Sequence, residues 1–538
     1  MKPESLARSG VTSLVGSAFA ALAAFVLTIV ISRGYGPDGT GVFFQAIAVF
    51  SVVSQVLRLG TNSAIIRFVS AQRALTGVGD SWRVTLAAVV PVAIVSGITG
   101  ACLALFASPL AAALAPRGYE ADLAGILRTM APFVVAGSVL AVLQTVTRLV
   151  NGVGTFTLLQ SILLPLSRLA VAITAIALAL GIDAAVLGWM AVLPLWLAVT
   201  VLVLVRPLRR DHLLSRSLSE RVSWRTFWAF SAPRAVGASL ETALDWSDVL
   251  IVAALTSPAE AGIYAVATRA VRAGQIIDRA MRIAVSPTIS RLLAEAELHP
   301  HRLDDARRLH TAVTRLLILT AWPFYLALAI LAPSVLSLFG PGFESGSAAL
   351  AILAAAMMLS SASGMLQSVL LQGGRSSWQM YNKAGVLTIN IALSLALVPM
   401  LGITGAAVSW LACIAVDTAI AAWQVHRGLG VRLEPRAIAV STLVPLVVVG
   451  LGCTALRLLA VPAPLDLAVG VPTLALLYAI TVWLLRSRLG VDRVLQRLIP
   501  ERLIPRFVRG NRNRAGARVT EQQAERAKKP ATTGSDRQ

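Results

Sequence analysis

The sequence predicts an all-α polytopic membrane protein of about fourteen transmembrane helices, built as two parallel six-helix repeats followed by two further helices. Four observations carry this expectation. Of 538 residues, 57% are hydrophobic and only 14% charged, with a mean hydropathy of +0.76. The apolar runs repeatedly reach the roughly 20 residues that cross a hydrocarbon core about 30 Å thick. Two pairs of segments also match at one distance: Leu180 to Ala191 (LGIDAAVLGWMA) lies over Leu401 to Ala412 (LGITGAAVSWLA), and Pro37 to Phe43 (PDGTGVF) over Pro258 to Tyr264 (PAEAGIY), each at an offset of 221. One match near the start and one near the end of each unit point to duplication. Finally, the basic residues alternate in density from one connection to the next.

The spans centre near Ala20, Phe50, Ile94, Ser138, Val171 and Leu195 in the first repeat, and near Ala243, Gln275, Trp322, Ser360, Ala392 and Val416 in the second. Two more centre near Val447 and Leu476. Six is even, so both repeats start on the same side of the membrane and form a parallel pair. The expected division is residues 1–221 for the first lobe, 222–436 for the second and 437–486 for the added helices. The first span is preceded by Lys2 and Arg8, but its apolar run from Val11 to Ile31 is longer than a signal-peptide core and leads straight into a matched segment, so it is read as retained.

Arg206, Arg209, Arg210, Arg216, Arg221 and Arg225 crowd one connection; Arg291, Arg302, Arg307 and Arg308 another; Arg427, Arg432 and Arg436 a third. All lie on the side of the N-terminus, which the positive-inside rule makes cytoplasmic, with the C-terminus there too. The alternate connections hold little more than Arg33, Arg117 and Arg457. The net charge of +21 records this asymmetry and a basic tail rather than affinity for nucleic acid. From 487 to 509 arginines interleave with leucine, isoleucine, valine and Phe507, as in a helix lying on an anionic leaflet. From 510 to 538 the chain is polar and basic without an apolar pattern, and disorder is expected.

The catalytic inventory is thin. The five histidines, His212, His299, His301, His310 and His426, fall in or beside the basic connections, and the three cysteines, Cys102, Cys413 and Cys453, are scattered through apolar spans. Neither set has the spacing of a metal site, triad or disulfide framework. The four lysines follow Met, Asn, Ala and Lys, so none follows the glycine of a phosphate-binding loop. No enzyme, metal or cofactor is expected.

Charge inside the spans is the informative feature. Arg234, Glu241, Asp245 and Asp248 are spaced by seven, four and three, which holds them to one narrow stripe of span seven. Each charge costs about 2.5–3.5 kcal/mol at mid-membrane, so the stripe cannot face lipid. Span eight carries Arg269, Arg272, Asp278, Arg279 and Arg282, with Arg272 near the midplane by a rise of about 1.5 Å per residue. Arg58 lies 221 residues before Arg279, so the repeats place arginine at equivalent positions, expected to converge on one vestibule. Arg168 adds a cation about midway through span five. A structural ion pair between helices is the bland reading of the span-seven and span-eight charges, and snorkelling that of Arg234 and Arg282.

The stretches Ile31 to Phe44 (ISRGYGPDGTGVFF) and Leu59 to Phe68 (LGTNSAIIRF) resemble the first two spans of the polysaccharide transporter family. These are the O-antigen and teichoic-acid type oligosaccharide flippases, in the superfamily that also holds toxin-extrusion multidrug exporters and the murein precursor flippase. The resemblance implies movement of polyprenyl-diphosphate-linked oligosaccharide from the inner to the outer leaflet of the cell membrane by rocking of the two lobes. It makes Arg58, Arg168, Arg269, Arg272 and Arg279 candidates for the head group. Glu241, Asp245 and Asp248 are candidates for taking up Na+ or H+, and a glycan polymerase or another assembly enzyme is the expected protein partner. The competing reading is a multidrug exporter of the same fold, which would show an acidic, aromatic cavity.

Overall fold

A computed structural model of the chain describes residues 3–76, 81–115, 118–214, 222–299, 302–372, 376–430, 435–459, 461–462, 465–486 and 489. The interfacial segment and basic tail expected beyond 486 lie outside the described residues, Leu489 apart. The first repeat comprises α1 (Pro3–Leu57), α2 (Thr61–Thr76), α3 (Ser81–Leu105), α4 (Ala107–Leu114), α5 (Glu120–Met130) and α6 (Phe133–Val150). α7 (Val153–Phe156) then runs through a π-helical segment, Thr157–Leu163, into α8 (Leu164–Ala177), and α9 (Ile182–Leu214) closes the repeat. The second repeat comprises α10 (Trp224–Leu255), α11 (Pro258–Ala273), α12 (Gln275–Leu298), α13 (Arg302–Ile330), α14 (Ala332–Ser337), α15 (Ser347–Ala362), α16 (Leu366–Gln372) and α17 (Ser376–Leu429). α18 (Pro435–Pro445), α19 (Leu451–Leu458) and α20 (Val471–Leu485) follow, and no strand occurs among the described residues.

Among the described residues ten helical stretches are long and apolar enough to cross a membrane. Two of these, Gly10–Leu57 with 48 residues and Trp378–Gly428 with 51, would each be about 70 Å long if straight, enough for two crossings. Each is interrupted by one glycine: Gly36 at φ 67° and Gly402 at φ 55°, a backbone region that side chains disfavour. α10 and the α11–α12 pair are not among the ten, and they hold the stripe of ionisable residues that the sequence places inside spans seven and eight. Counting the two long helices twice and adding these two spans is compatible with fourteen. Outward faces such as those of Leu105 (79% exposed), Leu202 (74%) and Leu484 (65%) suit lipid rather than water.

The duplication is visible in how helices begin. In the first repeat Pro37 restarts the helix after the Gly36 kink. In the second, Pro258 opens α11 behind Ser257, whose hydroxyl accepts from the Glu260 N–H at 3.2 Å. Proline suits the first helical turn because its missing N–H would have no partner there. Six residues on, the equivalent Phe43 and Tyr264 are both buried, at 1% and 0% exposure, in the core where α1 packs against α11.

Between these landmarks the repeats touch each other directly. A Cβ placed on Gly41 would overlap the Pro258 carbonyl and lie 3.0 Å from the Gly262 nitrogen. One placed on Gly262 would overlap the Pro37 carbonyl and lie 2.7 Å from the Gly41 nitrogen. Gly41 and Gly262 are 221 residues apart, so the contact is reciprocal: each repeat presents the same bare backbone to the other, as an isologous interface does. Arg33 Nε adds a hydrogen bond to the Leu338 carbonyl at 2.8 Å, joining the first repeat to the second near the Gly36 end of the seam.

At the far end of α1 the seam is made differently. Ser231 Oγ of α10 donates to the Leu59 carbonyl at 2.6 Å, and Gly60, at φ 69°, sits against the Ser231–Ala235 backbone. α18–α20 dock on α13 and α14: Tyr478 OH donates to the Leu319 carbonyl at 2.7 Å, and Ser334 is hydrogen-bonded to Asp466.

Candidate functional site

The ionisable residues gather around three cavities. The first, about 240 Å³, lies between the opening turns of α1 and the α11–α12 junction. Ser13, Ser17 and Phe25 form one wall, and Arg269, Arg272 and Arg279 the other. Arg269 lies over the rings of Trp246 (4.6 Å) and Phe44 (5.2 Å), which fixes its cation by ring-face attraction. Arg272 donates to the Asp245 carbonyl and stands 3.8 Å from the Asp245 carboxylate, which is 66% exposed. An ion pair so open to solvent is worth about 0–1 kcal/mol. Such an arginine is open to competition from any ligand that offers it two charged oxygens.

The second cavity, about 270 Å³, lies inside the first repeat and is capped by Thr242 of α10. Arg58 and Arg168 line it together with Gln144, Gln160 and Trp189. Arg168 stacks on the Trp189 ring at 3.7 Å. The five candidate arginines therefore divide into two groups, Arg58 with Arg168 and Arg269 with Arg272 and Arg279, and the pair expected to converge on one vestibule, Arg58 and Arg279, lines two different cavities. The repeat-equivalent pair separates because the helices break at different places: α1 ends at Leu57, before Leu59 and Gly60 at positive φ, whereas span eight breaks at Gly274 and resumes as α12, which carries Arg279.

The third cavity, about 180 Å³, belongs to the second repeat, where Asp245, Trp410, Lys383 and Asp417 meet. Trp410 is the repeat partner of Trp189, so the second and third cavities occupy equivalent places. Lys383 Nζ and Asp417 Oδ2 are 2.9 Å apart, and Gln367 donates to the other carboxylate oxygen at 3.0 Å. Sequence reading missed this pair, since the partners are 34 residues apart on opposite arms of the Gly402 kink; an acid and a base in adjoining apolar spans were the available signal. Removing one partner strands a charge, and Lys383→Met is expected to cost about 3 kcal/mol, near the low end for buried pairs. Thermal unfolding of the purified protein should show that loss, and Lys383→Met combined with Asp417→Leu should recover most of it.

The acid stripe of α10 is not uniform. Glu241 and Asp245 are exposed, but Asp248 is 6% exposed and lies against Asn390 and Tyr264. Asp248 Oδ1, Tyr264 OH and Asn390 Nδ2 are all buried and face one another, while Ser247 Oγ donates to Asn390 Oδ1 at 3.0 Å. Arg234, at the other end of the stripe, is exposed and lies 5.6 Å from the Phe230 ring centre.

The model of one protein family, described as polysaccharide biosynthesis protein, matches residues 6–293, more than half of the chain. The chain belongs to that family. The region matched holds all five candidate arginines and all three candidate acids. The fold of this polysaccharide biosynthesis protein is shared with solved transporters. A lipid II flippase MurJ in an inward closed conformation aligns with a TM-score of 0.68 at 11% identity, over 89% of this chain and 99% of that one. An inward-facing multidrug resistance MATE family transporter of the MOP superfamily aligns with a TM-score of 0.58 at 15% identity, over 78% and 98%. A MOP superfamily transporter from Pyrococcus furiosus, described by the reverse polarity of its binding pocket, gives 0.50 at 16% identity, over 82% and 95%. At these identities the likeness is one of fold. No curated protein matches the sequence.

Proposed function

We propose that this protein is a flippase that moves a polyprenyl-diphosphate-linked oligosaccharide, the precursor of a surface polysaccharide, from the inner to the outer leaflet of the cell membrane. The observation that carries the reading is the cavity between α1 and α11–α12. Three arginines face a wall that includes Ser13, Ser17 and Phe25 there, and Asp245 is held to Arg272 by a weak, displaceable pair. Such a cavity suits a diphosphate. It does not suit the cationic amphiphiles of a multidrug exporter, for which an acid-lined cavity is needed. Family membership and a fold shared with a lipid II flippase support the same conclusion.

Residues 1–221 and 222–436 serve as the two lobes, with both termini in the cytoplasm and residues 437–486 as an accessory pair of helices. In the described conformation the lobes meet at Gly41 and Gly262, at the end that charge placement puts outside, and again at Gly60 and Ser231 toward the other end. The head group enters from the cytoplasmic side beside α1 while its lipid tail stays in the bilayer. Opening of the glycine seam then releases the head group outward. A glycan polymerase or another assembly enzyme is the natural acceptor of the exported unit.

Energy comes from gradients. An anionic head moving out of a negative interior gains about 2.3 kcal/mol per charge per 100 mV, so the membrane potential drives the loaded step. The empty cationic cavity must then return, and Na+ or H+ taken up by the α10 acids neutralises charge during that step. Asp248 is the strongest of the three for this role, because it is buried beside the polar groups of Tyr264 and Asn390; Asp245 acts as the exchangeable partner of Arg272, and Glu241 faces the open side. Flipping by Asp248→Asn in proteoliposomes is expected to lose its response to an imposed Na+ or H+ gradient while keeping its response to potential. An unchanged gradient response in Asp248→Asn would remove the coupling role.

A further inference from the structure

The cavity of the first repeat has more positive charge than a structural role requires. Among the described residues no carboxylate stands in ion-pair distance of Arg58 or Arg168, and the Nε of each is buried without an acceptor. The nearest acids of α10, Glu241 and Asp245, do not line it; Thr242 does. A charge placed this deep without a partner is costly, and an anion brought by a ligand relieves that cost.

The rest of the lining says what kind of anion. Gln144, Gln160 and Thr242 offer amide and hydroxyl groups that both donate and accept, and Gln160 Oε1 is also buried without a partner. That chemistry matches sugar hydroxyls. A volume of about 270 Å³ is several times the roughly 30 Å³ that one water occupies in the liquid, too large a space for a bare halide. Gln160 lies in the π-helical segment Thr157–Leu163 that precedes Arg168, an irregularity of the kind often found at functional sites. The equivalent cavity of the second repeat answers its lysine internally with Asp417; in the first repeat no such acid is present, and the answer comes from outside.

We infer that this cavity is a second anion subsite, separate from the diphosphate cavity, which takes a carboxylate-bearing sugar residue of the exported glycan. The transporter is thereby selective for acidic oligosaccharides. The inference rests on the export reading above and names the substrate class within it. Arg58 and Arg168 hold the carboxylate, with the planar Arg168 guanidinium braced by Trp189, and the glutamines and Thr242 meet the ring hydroxyls.

The test uses the full-length protein purified in detergent and follows thermal stabilisation on titration with four probes: a disaccharide ending in a hexuronic acid, its neutral hexose counterpart, inorganic phosphate and chloride. The acidic disaccharide is expected to bind the wild type at least about tenfold more tightly than the neutral one, the gain of one charge-assisted contact. That preference should vanish in Arg168→Gln and in Arg58→Gln and be partly kept in Arg168→Lys, which retains charge but loses the planar fork. Equal affinity for the two disaccharides, no binding of either, or a preference unchanged in both glutamine variants overturns the inference. Stabilisation by phosphate or chloride that equals the acidic sugar and is lost in the same variants also overturns it, in favour of an inorganic-anion site. In proteoliposomes, polyprenyl-diphosphate lipids bearing the same two disaccharides separate the claims. Movement of both at equal rates defeats the acidic selectivity alone; movement of neither defeats the export reading.

Discussion

Arg272→Ala is expected to abolish export of the glycan while the protein still inserts and folds. Arg272 is central among the three arginines of the diphosphate cavity and the one whose partner, Asp245, is exchangeable. A guanidinium making two charge-assisted bonds to phosphate oxygens contributes about 1.5–3 kcal/mol per bond, so its loss should lower flipping by about a hundredfold or more. Arg272→Lys keeps the charge but not the fork and should recover only part of the activity. Adding Arg279→Ala should leave nothing measurable. Surface glycan assayed beside the amount of protein in the membrane checks all three, and normal glycan in the double variant would sink the assignment.

Gly41→Leu is the second substitution with a large expected effect, and it acts without touching substrate. The side chain would enter the space held by the Pro258 carbonyl, so the lobes could no longer close at that end, and flipping should fall to background. Gly262→Leu should behave identically because the contact is reciprocal. With alanine at either position the loss should be smaller, and the two alanines together should cost less than the sum of each alone, since both relax one interface. A cysteine introduced at Ser17, on the wall of the diphosphate cavity, in a protein lacking Cys102, Cys413 and Cys453, reads the conformation. In Gly41→Leu it should lose labelling from the cytoplasmic side and gain it from outside; labelling identical to that of the unsubstituted seam would show that the glycine contact is not the outer gate.

The sequence carried the architecture because composition and repetition are properties of whole segments. Apolar runs show where helices lie, and the common offset of 221 survived in Pro37 and Pro258, the residues that restart the helices. It named Gly41 and Gly262 as equivalent without showing that they touch, because equivalence relates positions about an axis and does not say which lie on it. The candidate arginines were legible as charges that lipid would reject. Their grouping was not, since Arg58 and Arg279 part company at helix breaks six to seven residues out of register between the repeats, at Gly274 and at Leu59–Gly60. The α10 stripe was legible as a face, but α17 covers only part of it, burying Asp248 against Asn390 and leaving Asp245 open. Lys383 and Asp417 were invisible as a pair because periodicity ends at the Gly402 kink.

The central claim is that an anionic lipid-linked glycan crosses the membrane through the arginine-lined cavity. The most direct measurement reconstitutes the full-length protein in proteoliposomes with a labelled polyprenyl-diphosphate oligosaccharide and follows its transfer between leaflets under a fixed membrane potential. Wild-type protein should move the lipid at a rate that rises with the potential, and Arg272→Ala should move none above protein-free vesicles. Equal transfer by wild type and Arg272→Ala, or transfer of a cationic amphiphile in place of the glycolipid, would contradict the account.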